Sequence, residues 1–326
     1  MSRRFVTAAM IALLSSCVAA PSTVAKGGAP IGPAAAPEFG DAFWKYWGDG
    51  RAELAGYEFE TPRYGSVRKG TAVVIFVTET FSNSLRVKAD PGKHPKSDEY
   101  PVMKLNLIQD FATGIYDYNL MTSAFTAITS VNNRPVGAVT KVAFSAQEWC
   151  GQAYSQLLFD ARSARFTAHS YFDGEADQVA TLAVPMDAVS EDALLSWARG
   201  FAYPMVKPGG NVTAPLVRAL RESRLVHRPE GVGRAMFTRA AGTSSVRVPA
   251  GTFDCVVSTV RIEGGRTWTF FTEAAAPNRV VSWTCSDGEK AELLASDRLA
   301  YWQLNGPGGE AALSKLGLRP RASRMP

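Results

Sequence analysis

The residues best suited to covalent chemistry stand in one run, Gln147-Glu148-Trp149-Cys150-Gly151. A cysteine becomes a nucleophile when a nearby base, usually a histidine, favours its thiolate form. Of the three histidines, His169 follows Cys150 most closely and falls on the next predicted hairpin. A Cys150–His169 pair that Glu148 or Glu79 orients would make a hydrolase or an acyl-transfer site.

A structural role for the same run is the alternative. Free cysteines are among the residues that are most often buried, and Cys150 would then be a small apolar residue beside a core Trp149. Glu148 would hold a turn or pair with an arginine such as Arg63. The sequence favours this structural role, because the histidines are far from the cysteine along the chain.

The amino terminus has the three parts of a bacterial export signal. Arg3 and Arg4 precede about ten apolar residues, a run that is too short to span a bilayer. Small residues follow, and the run Leu14-Ser15-Ser16-Cys17 resembles the lipobox of bacterial lipoproteins. That resemblance implies that residues 1–16 are a signal peptide and that Cys17 becomes a lipidated amino terminus. The alternative is an ordinary secretory signal that is cleaved shortly after Cys17, in which this cysteine has no role.

Lipidation of Cys17 would make the membrane the first partner of this protein, because several acyl chains anchor a protein firmly. Val18 follows the cysteine where an aspartate would retain the protein at the inner membrane. By the sorting rule of enteric bacteria, this implies the periplasmic face of the outer membrane. Residues 17–40 are rich in Ala, Pro and Gly, which predicts a flexible tether that spans roughly 25–30 Å.

Three cysteines remain after Cys17, so they cannot all pair with one another. Export favours disulfides. Cys255 and Cys285 fall on predicted strands that one other strand separates, and in a curled sheet they could bridge. A disulfide between them would leave Cys150 free.

Several classes of function lack their sequence signatures. No CxxC pair and no histidine at ligand spacing indicates a metal site, and Asp98-Glu99 and Glu191-Asp192 are expected to be surface pairs. No glycine-rich loop indicates a bound phosphate, so no cofactor is expected. The net charge of +5 comes from scattered basic residues without a Lys/Arg-rich run, which argues against nucleic-acid binding.

The remaining pattern predicts a mostly β protein. Turn residues recur every 8–14 positions without βαβ spacing, as is typical of antiparallel curved sheets or open barrels. We expect two meander-like halves, over residues 41–200 and 211–304, and a loose Gly/Pro-rich tail over 305–326. The run Val73–Thr78 is apolar at both alternating sets of positions, which predicts a strand that is covered on both faces.

Two short helices interrupt this pattern. The stronger one covers residues 190–199, with Ser190 as the cap of its first turn and Gly200 as its end. The other follows Asp41 and carries three aromatic residues within five positions, which indicates that it docks on the main body. Leu85-Arg86-Val87 is predicted to be a short strand.

Several stretches of the chain resemble a family of uncharacterised bacterial envelope lipoproteins whose members often carry the label "septum formation inhibitor Maf". The stretches that carry the resemblance are Phe43-Trp44 with Gly48 to Leu54, Arg63-Tyr64-Gly65, Val74 to Glu79 including Thr78 and Glu79, Lys104-Leu105-Asn106, Thr113 to Tyr118, and Gln147 to Gly151. True Maf proteins are cytoplasmic nucleotide pyrophosphatases with a Ser-Pro-Arg-Arg motif, which this exported chain lacks. A second resemblance, over Val248 to Cys255, Trp268 and Val280 to Trp283, is to a periplasmic β-rich domain family of unknown function.

These observations together predict a lipid-anchored, non-catalytic protein of the outer membrane. It would bind an apolar ligand, such as a lipid, or act as a scaffold for an envelope protein. One alternative is an envelope hydrolase or thiol enzyme that uses Cys150, with His169 and Glu148. Another is a purely structural interaction module of an envelope complex.

Overall fold

The computed structural model describes residues 35–320. The predicted signal peptide, the lipidation site Cys17 and residues 17–34 of the predicted tether lie outside the described residues, as do residues 321–326. Within 35–320, none of the helices has the length and apolar character that crossing a membrane requires.

Short turns connect most of the strands, and helices are few. The elements are α1 (Asp41–Trp47), β1 (Ala52–Arg63), β2 (Ser66–Ser82), β3 (Glu99–Thr113), β4 (Tyr116–Ala127), β5 (Val139–Glu148), β6 (Gly151–Phe159), β7 (Ser163–Ser170), β8 (Gln178–Ala183), β9 (Val189–Ser190), α2 (Leu194–Ala198), β10 (Asn211–Val217), α3 (Leu220–Val226), β11 (Val232–Val248), β12 (Gly251–Ile262), β13 (Thr267–Glu273), β14 (Val280–Cys285) and β15 (Lys290–Leu299). Short 3-10 turns occur at Lys96–Asp98, Glu191–Ala193, Tyr301–Gln303 and Gly309–Leu316.

All the strands join in one sheet that is not closed on itself, in the order β8-β7-β6-β5-β4-β3-β2-β1-β15-β14-β13-β12-β11-β10-β9. Each strand from β1 to β7 pairs antiparallel with the next one in the chain, and so does each strand from β10 to β14. The short β9 pairs parallel with β10. The prediction of a mostly β protein with two meander-like halves is therefore confirmed.

The two meanders meet at a seam between the first and the last strand. β1 pairs with β2 on one side and with β15 on the other, for example through Phe59, which is opposite Gly70 and Ala291. The main buried core then draws on strands of both meanders, including Phe144 from the first and Phe237 from the second. The two halves therefore share this main core.

The segment between the meanders contributes buried side chains to this core, among them Leu194, Leu195 and Trp197. Trp197 of α2 packs edge-on against Phe237 and Phe270, with ring centroids 5.0 Å and 6.4 Å apart. Helical structure lies within the predicted range 190–199 but consists of a 3-10 turn followed by the five-residue α2. Ser190 makes no side-chain cap bond, so that detail of the prediction is wrong.

Strand β2 is covered on both faces, as the sequence predicts. Val74 and Phe76 belong to the main core. Ile75 and Val77 belong to a second apolar cluster on the other face, which includes Leu316.

Leu316 also corrects the prediction of a loose tail. Residues 309–316 form a 3-10 turn that lies over β1 and β15, and Leu316 is 3% exposed. The chain approaches so closely that a Cβ on Gly56 would collide with the carbonyl oxygen of Leu316. Burial of apolar side chains such as Leu316 holds this segment against the sheet. The Gly/Pro-rich composition of the tail gives no indication of this packing.

The predicted strand Leu85-Arg86-Val87 is a turn, in which Arg86 has a positive φ of 56°. The Arg86 guanidinium donates hydrogen bonds to the carbonyl oxygen of Phe159, at 2.6 Å, and to Asp160, at 2.9 Å. The hydrogen bonds of the buried Arg86 guanidinium therefore fix a turn at this position, although the flanking apolar residues Leu85 and Val87 favour a strand.

Candidate functional site

Alternate turns of an antiparallel meander lie at the same end of the sheet, and this places four hairpin turns together. We call this region the hairpin end; it comprises the turns at residues 63–66, 113–116, 148–151 and 170–178. Three of the stretches that carry the family resemblance converge there, although the first and the last are far apart in the sequence: Tyr64 and Glu148 are 84 positions apart. The hairpin end is therefore the candidate functional site.

A cluster of three phenols and one guanidinium forms the centre of the hairpin end. The hydroxyl oxygens of Tyr64 and Tyr118 are 2.6 Å apart, and Tyr116 donates to Tyr64 at 3.4 Å. Arg63 Nη2 donates to the Tyr118 hydroxyl at 3.1 Å, and Nη1 donates to the Leu225 carbonyl oxygen at 3.1 Å. We call Arg63, Tyr64, Tyr116 and Tyr118 the tyrosine cluster. It connects two hairpin turns to the end of α3.

The environment shifts the pKa values of two of these phenols in opposite directions. Burial, followed by the Glu148 carboxylate and Tyr64, raises the pKa of Tyr118. For Tyr64, burial acts in the same sense, but hydrogen bonds with Tyr116 and Tyr118 and the charge of Arg63 outweigh it and lower the pKa. Tyr118 is only 1% exposed and Tyr64 is 57% exposed, so Tyr64 is the phenol of this pair that a ligand can reach.

The predicted catalytic residues are not brought together. Cys150 is exposed in the β5–β6 turn. His169 pairs with Tyr154 across β6 and β7, four residues from Cys150, so the two are separated by roughly 13 Å along the strand. The His169 Nδ1 atom instead lies 2.8 Å from Asp177 Oδ1. Since nucleophilic catalysis needs a base within hydrogen-bond reach, this geometry does not assemble a Cys–His pair.

The other two histidines also face carboxylates. His94 Nδ1 lies 3.6 Å from Asp98 Oδ2, and His227 Nδ1 contacts Glu175. Among residues 35–320, no group of His, Cys, Asp and Glu side chains is arranged to hold a metal ion.

In the structural alternative for the same run, the expected burial of Trp149 and Cys150 is wrong, whereas the expected pairing of Glu148 with an arginine is found, with a different arginine. Trp149 is 63% exposed and Cys150 is exposed, so neither belongs to the core. Glu148 is the buried residue of the run, and its side chain is 3% exposed. It pairs with Arg224 at 3.3 Å rather than with Arg63, because α3 lies against the end of β5.

Two further motif positions lie far from this end. Thr78 donates to the Trp47 carbonyl oxygen at 2.7 Å, and Glu79 pairs with Lys104 at 3.1 Å. Glu79 is thirteen residues along β2 from Ser66, which corresponds to roughly 40 Å. Glu79 therefore cannot orient a group at Cys150.

The predicted disulfide between Cys255 and Cys285 is absent. Both thiols are free and buried. Cys255 is opposite Glu273 of β13, whereas Cys285 is opposite Trp268 of the same strand. These partners are five residues apart, roughly 17 Å, and a disulfide requires Cα atoms within about 7 Å. Burial raises the pKa of Cys255 to about 11 and also raises that of Cys285.

Glu191 and Asp192 correct a second prediction, since they are not a surface pair. Glu191 is 6% exposed and accepts hydrogen bonds from Arg266 at 2.7 Å and from Trp268 Nε1 at 2.8 Å. Asp192 accepts a hydrogen bond from the backbone amide of Leu220, at the start of α3. These acidic groups stabilise the packing of α3 rather than form an open site.

Large apolar side chains are exposed on all four turns of the hairpin end. The exposed fractions are 57% for Tyr64, 75% for Ile115, 63% for Trp149 and 72% for Tyr171. The Tyr171 ring lies so close to Gly151 that a Cβ there would clash with it. Sequence reasoning identified Trp149 but placed it in the core, because an aromatic residue in a turn carries no signal of its exposure.

One cavity opens beside the hairpin end, between α3 and strands β5 to β7. Its volume is about 230 Å³, and the buried Arg224 lines it. Sequence reasoning missed Arg224, since a single arginine in a polar segment has no distinguishing spacing.

Comparison with protein-family models, with curated proteins and with solved structures finds no match to this chain. The resemblances drawn from the sequence motifs therefore stay predictions. The geometry of the hairpin end itself carries the functional argument.

Proposed function

We propose that this chain is an exported, lipid-anchored protein of the periplasmic face of the outer membrane that acts by binding, as a scaffold for another envelope component. The hairpin end carries this proposal, because it exposes Tyr64, Ile115, Trp149 and Tyr171 on four neighbouring turns. Exposed apolar groups that cluster in this way mark interaction surfaces. Tyrosine and tryptophan are also the side chains that contribute most to the centres of protein interfaces.

The filling of the sheet favours a scaffold over a carrier of an apolar ligand. Between Leu107, Leu195, Phe270 and Trp283 the core leaves a cavity of only about 50 Å³. An engineered apolar cavity of roughly 150 Å³ binds a single benzene, so an acyl chain has no room in this smaller one. In this part of the core, the protein's own side chains occupy the space that a carrier would keep open.

The point at which the tether reaches the fold also supports this role. Ala35 pairs with Met205, and Pro37 lies against Gly137 in the β4–β5 connection. That connection is at the opposite end of the sheet from the hairpin end. If Cys17 holds the chain in the membrane, the exposed aromatic residues can face away from the attachment point, toward a partner in the periplasm.

The test is chemical crosslinking in whole cells with the full-length lipoprotein. A Trp149→Ser/Tyr171→Ser double variant should lose the crosslinked species that the wild type gives. Leu85→Ser is the matched control, since Leu85 is 60% exposed at the opposite end, and it should keep that species. Cys17→Ala should release the protein from the membrane fraction.

Two outcomes would overturn the proposal. One is a crosslinking pattern that the double variant leaves unchanged. The other is a stoichiometric lipid that co-purifies with the Cys17→Ala protein, which would favour the carrier.

A further inference from the structure

Strand β8 (Gln178–Ala183) forms one edge of the sheet, and it is open on both of its faces. Among residues 35–320, β7 is the only strand that pairs with it. Five of its six residues are exposed, and Val179 is 84% exposed. The exception is Leu182, which packs partly against the main core. A strand in this position presents main-chain N–H and C=O groups that no neighbouring strand uses.

The register with β7 identifies which main-chain groups face outward. The amide of Val184 donates to the carbonyl oxygen of Arg162 at 3.0 Å, so this pair of residues is hydrogen-bonded. Hydrogen-bonded and non-hydrogen-bonded pairs alternate along an antiparallel ladder. The residues at even positions of β8 therefore direct their N–H and C=O groups to β7. The residues that direct these groups outward are Val179, Thr181 and Ala183.

Among the described residues, β8 lacks the devices that protect an open edge, namely charged side chains, proline, bulges and a covering segment. Its sequence Gln-Val-Ala-Thr-Leu-Ala is uncharged and without proline, and its pairing with β7 has no register shift. The other edge of the sheet differs. There β9 pairs with Leu216 and Val217 of β10, and Pro215 has no N–H. This contrast identifies β8 as the edge at which a further strand can be added.

The chemistry of this edge fits an extended polypeptide. The main chain of another strand has N–H and C=O groups at the same spacing, on every second residue. Ala180 lies opposite the buried Phe166 of β7, so Ala180 and Leu182 are on the face of the sheet that continues the main core. An added strand would therefore cover this margin with apolar side chains at every second position.

A second copy of this chain fits the edge less well. Two copies present the same edge, and identical edges pair only in antiparallel orientation, since a parallel arrangement would place N–H opposite N–H. The tether ends of the two copies would then point in opposite directions, whereas the predicted anchors at Cys17 would hold both in one membrane. The contact is also small. A strip roughly 20 Å long and about 10 Å wide gives about 200 Å², whereas each partner in a stable dimer buries about 800 Å².

We propose that the outward edge of β8 binds an extended polypeptide segment with apolar side chains at alternate positions, which adds a strand along the six residues of β8. The main chain of this segment pairs with Val179, Thr181 and Ala183. The turn at residues 170–178, with the exposed Tyr171, leads directly into β8, so a partner at the hairpin end can continue along this edge. The assignment of the segment to an envelope partner rests on the proposed function, whereas the chemistry of the edge does not.

The experiment measures amide hydrogen exchange by NMR in the folded Cys17→Ala chain. Without a ligand, the β8 amides that face β7 should exchange slowly and the three outward amides should exchange fast. The probe is a blocked peptide of alternating valine and threonine with a lysine at each end. Saturating peptide should slow the exchange of the three outward amides at least roughly tenfold. The same peptide with N-methylated amides keeps the side chains but lacks the N–H donors, and it should leave exchange unchanged.

Variants separate main-chain pairing from side-chain contact. Thr181→Pro removes an outward N–H that the fold does not use, so the sheet should form as in the wild type and peptide binding should weaken at least about tenfold. Thr181→Ala is the matched control, since it keeps the N–H, and it should bind as the wild type does. Ala180→Lys places a charge on the exposed apolar face and should also weaken binding, which keeps the test decisive if Thr181→Pro folds poorly.

Three outcomes would overturn this inference and leave the crosslinking result at the hairpin end standing. The first is a set of outward amides that the peptide does not protect. The second is equal peptide binding by Thr181→Pro and Thr181→Ala. The third is protection that appears without peptide and grows with protein concentration, which would assign the edge to a second copy.

A further outcome distinguishes the edge from the scaffold role. The peptide protects the wild-type edge as expected, but the Trp149→Ser/Tyr171→Ser variant keeps its crosslinks. That combination would support binding at β8 and remove the proposed function of the hairpin end.

Discussion

The Nη1 atom of Arg199 lies 2.5 Å from Oε1 of Glu53, and the two side chains are 1% and 5% exposed. This buried ion pair joins the segment after α2 to strand β1 at the seam. Tyr46 donates to the same carboxylate at 3.1 Å, and Arg199 also donates to the Pro277 carbonyl oxygen at 2.8 Å. One pair thus connects α1, the seam and the β13–β14 turn.

We expect Glu53→Gln to lower the free energy of unfolding by about 3 kcal/mol, because it leaves the Arg199 charge buried without its counter-ion. Urea denaturation at neutral pH measures this as a lower midpoint at an unchanged slope. Glu60→Gln is the control, since Glu60 and Lys69 form an exposed pair at 3.7 Å, and it should change stability by less than about 0.5 kcal/mol. Equal effects of the two substitutions would show that the Glu53 pair does not stabilise the fold.

The sequence predicts the type of fold because strands and turns have local signatures. The alternation in Val73–Thr78 and the turn residues between strands depend on neighbours in the chain, and the structure confirms both. The seam between β1 and β15 has no such signature. Its partners, such as Ala52 and Leu299, pair through backbone hydrogen bonds that any residue type can make.

The candidate site was only partly predictable for a related reason. The run around Cys150 indicated the correct turn, but the exposure of Trp149 and Cys150 depends on what packs nearby. Glu148 meets its counter-ion Arg224 across 76 positions. The burial of a charge depends on such a distant partner, so local composition assigns it to the surface.

The three described cysteines should differ sharply in their reactivity. In the native protein, iodoacetamide should modify Cys150 and leave Cys255 and Cys285 unmodified, because burial blocks the reagent and raises the pKa of both buried thiols. Peptide mass spectrometry of the alkylated chain gives the sites. Denaturation in guanidinium without a reductant should make all three react. A Cys255–Cys285 pair that stays unreactive until reductant is added would contradict the free thiols.

Asp192 should make the protein less stable as pH rises. Burial raises the pKa of Asp192 to about 7, and the carboxylates of Glu191 and Glu230 act in the same sense. Between about pH 4 and 7 the folded state therefore binds more protons at this group than the unfolded state, and its contribution to stability falls as pH rises.

Asp192→Asn keeps the acceptor for Leu220 but removes this titration. The difference in the free energy of unfolding between the variant and the wild type should shift in favour of the variant by more than about 1 kcal/mol from pH 4.5 to pH 7.5. Thermal or urea unfolding across this range measures the difference. Asp90→Asn changes an exposed carboxylate and is the control; its stability should follow that of the wild type across this pH range. A difference between wild type and Asp192→Asn that does not vary with pH would show that this carboxyl titrates normally in the fold.

The hydrogen bond between the hydroxyls of Tyr64 and Tyr118 should affect the pKa of Tyr64. When Tyr64 ionises, its oxygen can accept hydrogen bonds from Tyr116 and Tyr118, and these stabilise the charged form. Tyr118→Phe removes one of these donors, so the pKa of Tyr64 should rise. The Cζ chemical shift of Tyr64, followed against pH in tyrosine-labelled protein, measures the change directly.

The control is Tyr154→Phe, which should leave the Tyr64 titration unchanged. Tyr154 lies on the outer side of β6, where its hydroxyl donates to Gln156. A Tyr64 pKa that stays the same or falls in Tyr118→Phe would show that the two phenols do not share a hydrogen bond, and the tyrosine cluster would then lose its role in holding the first two hairpin turns together.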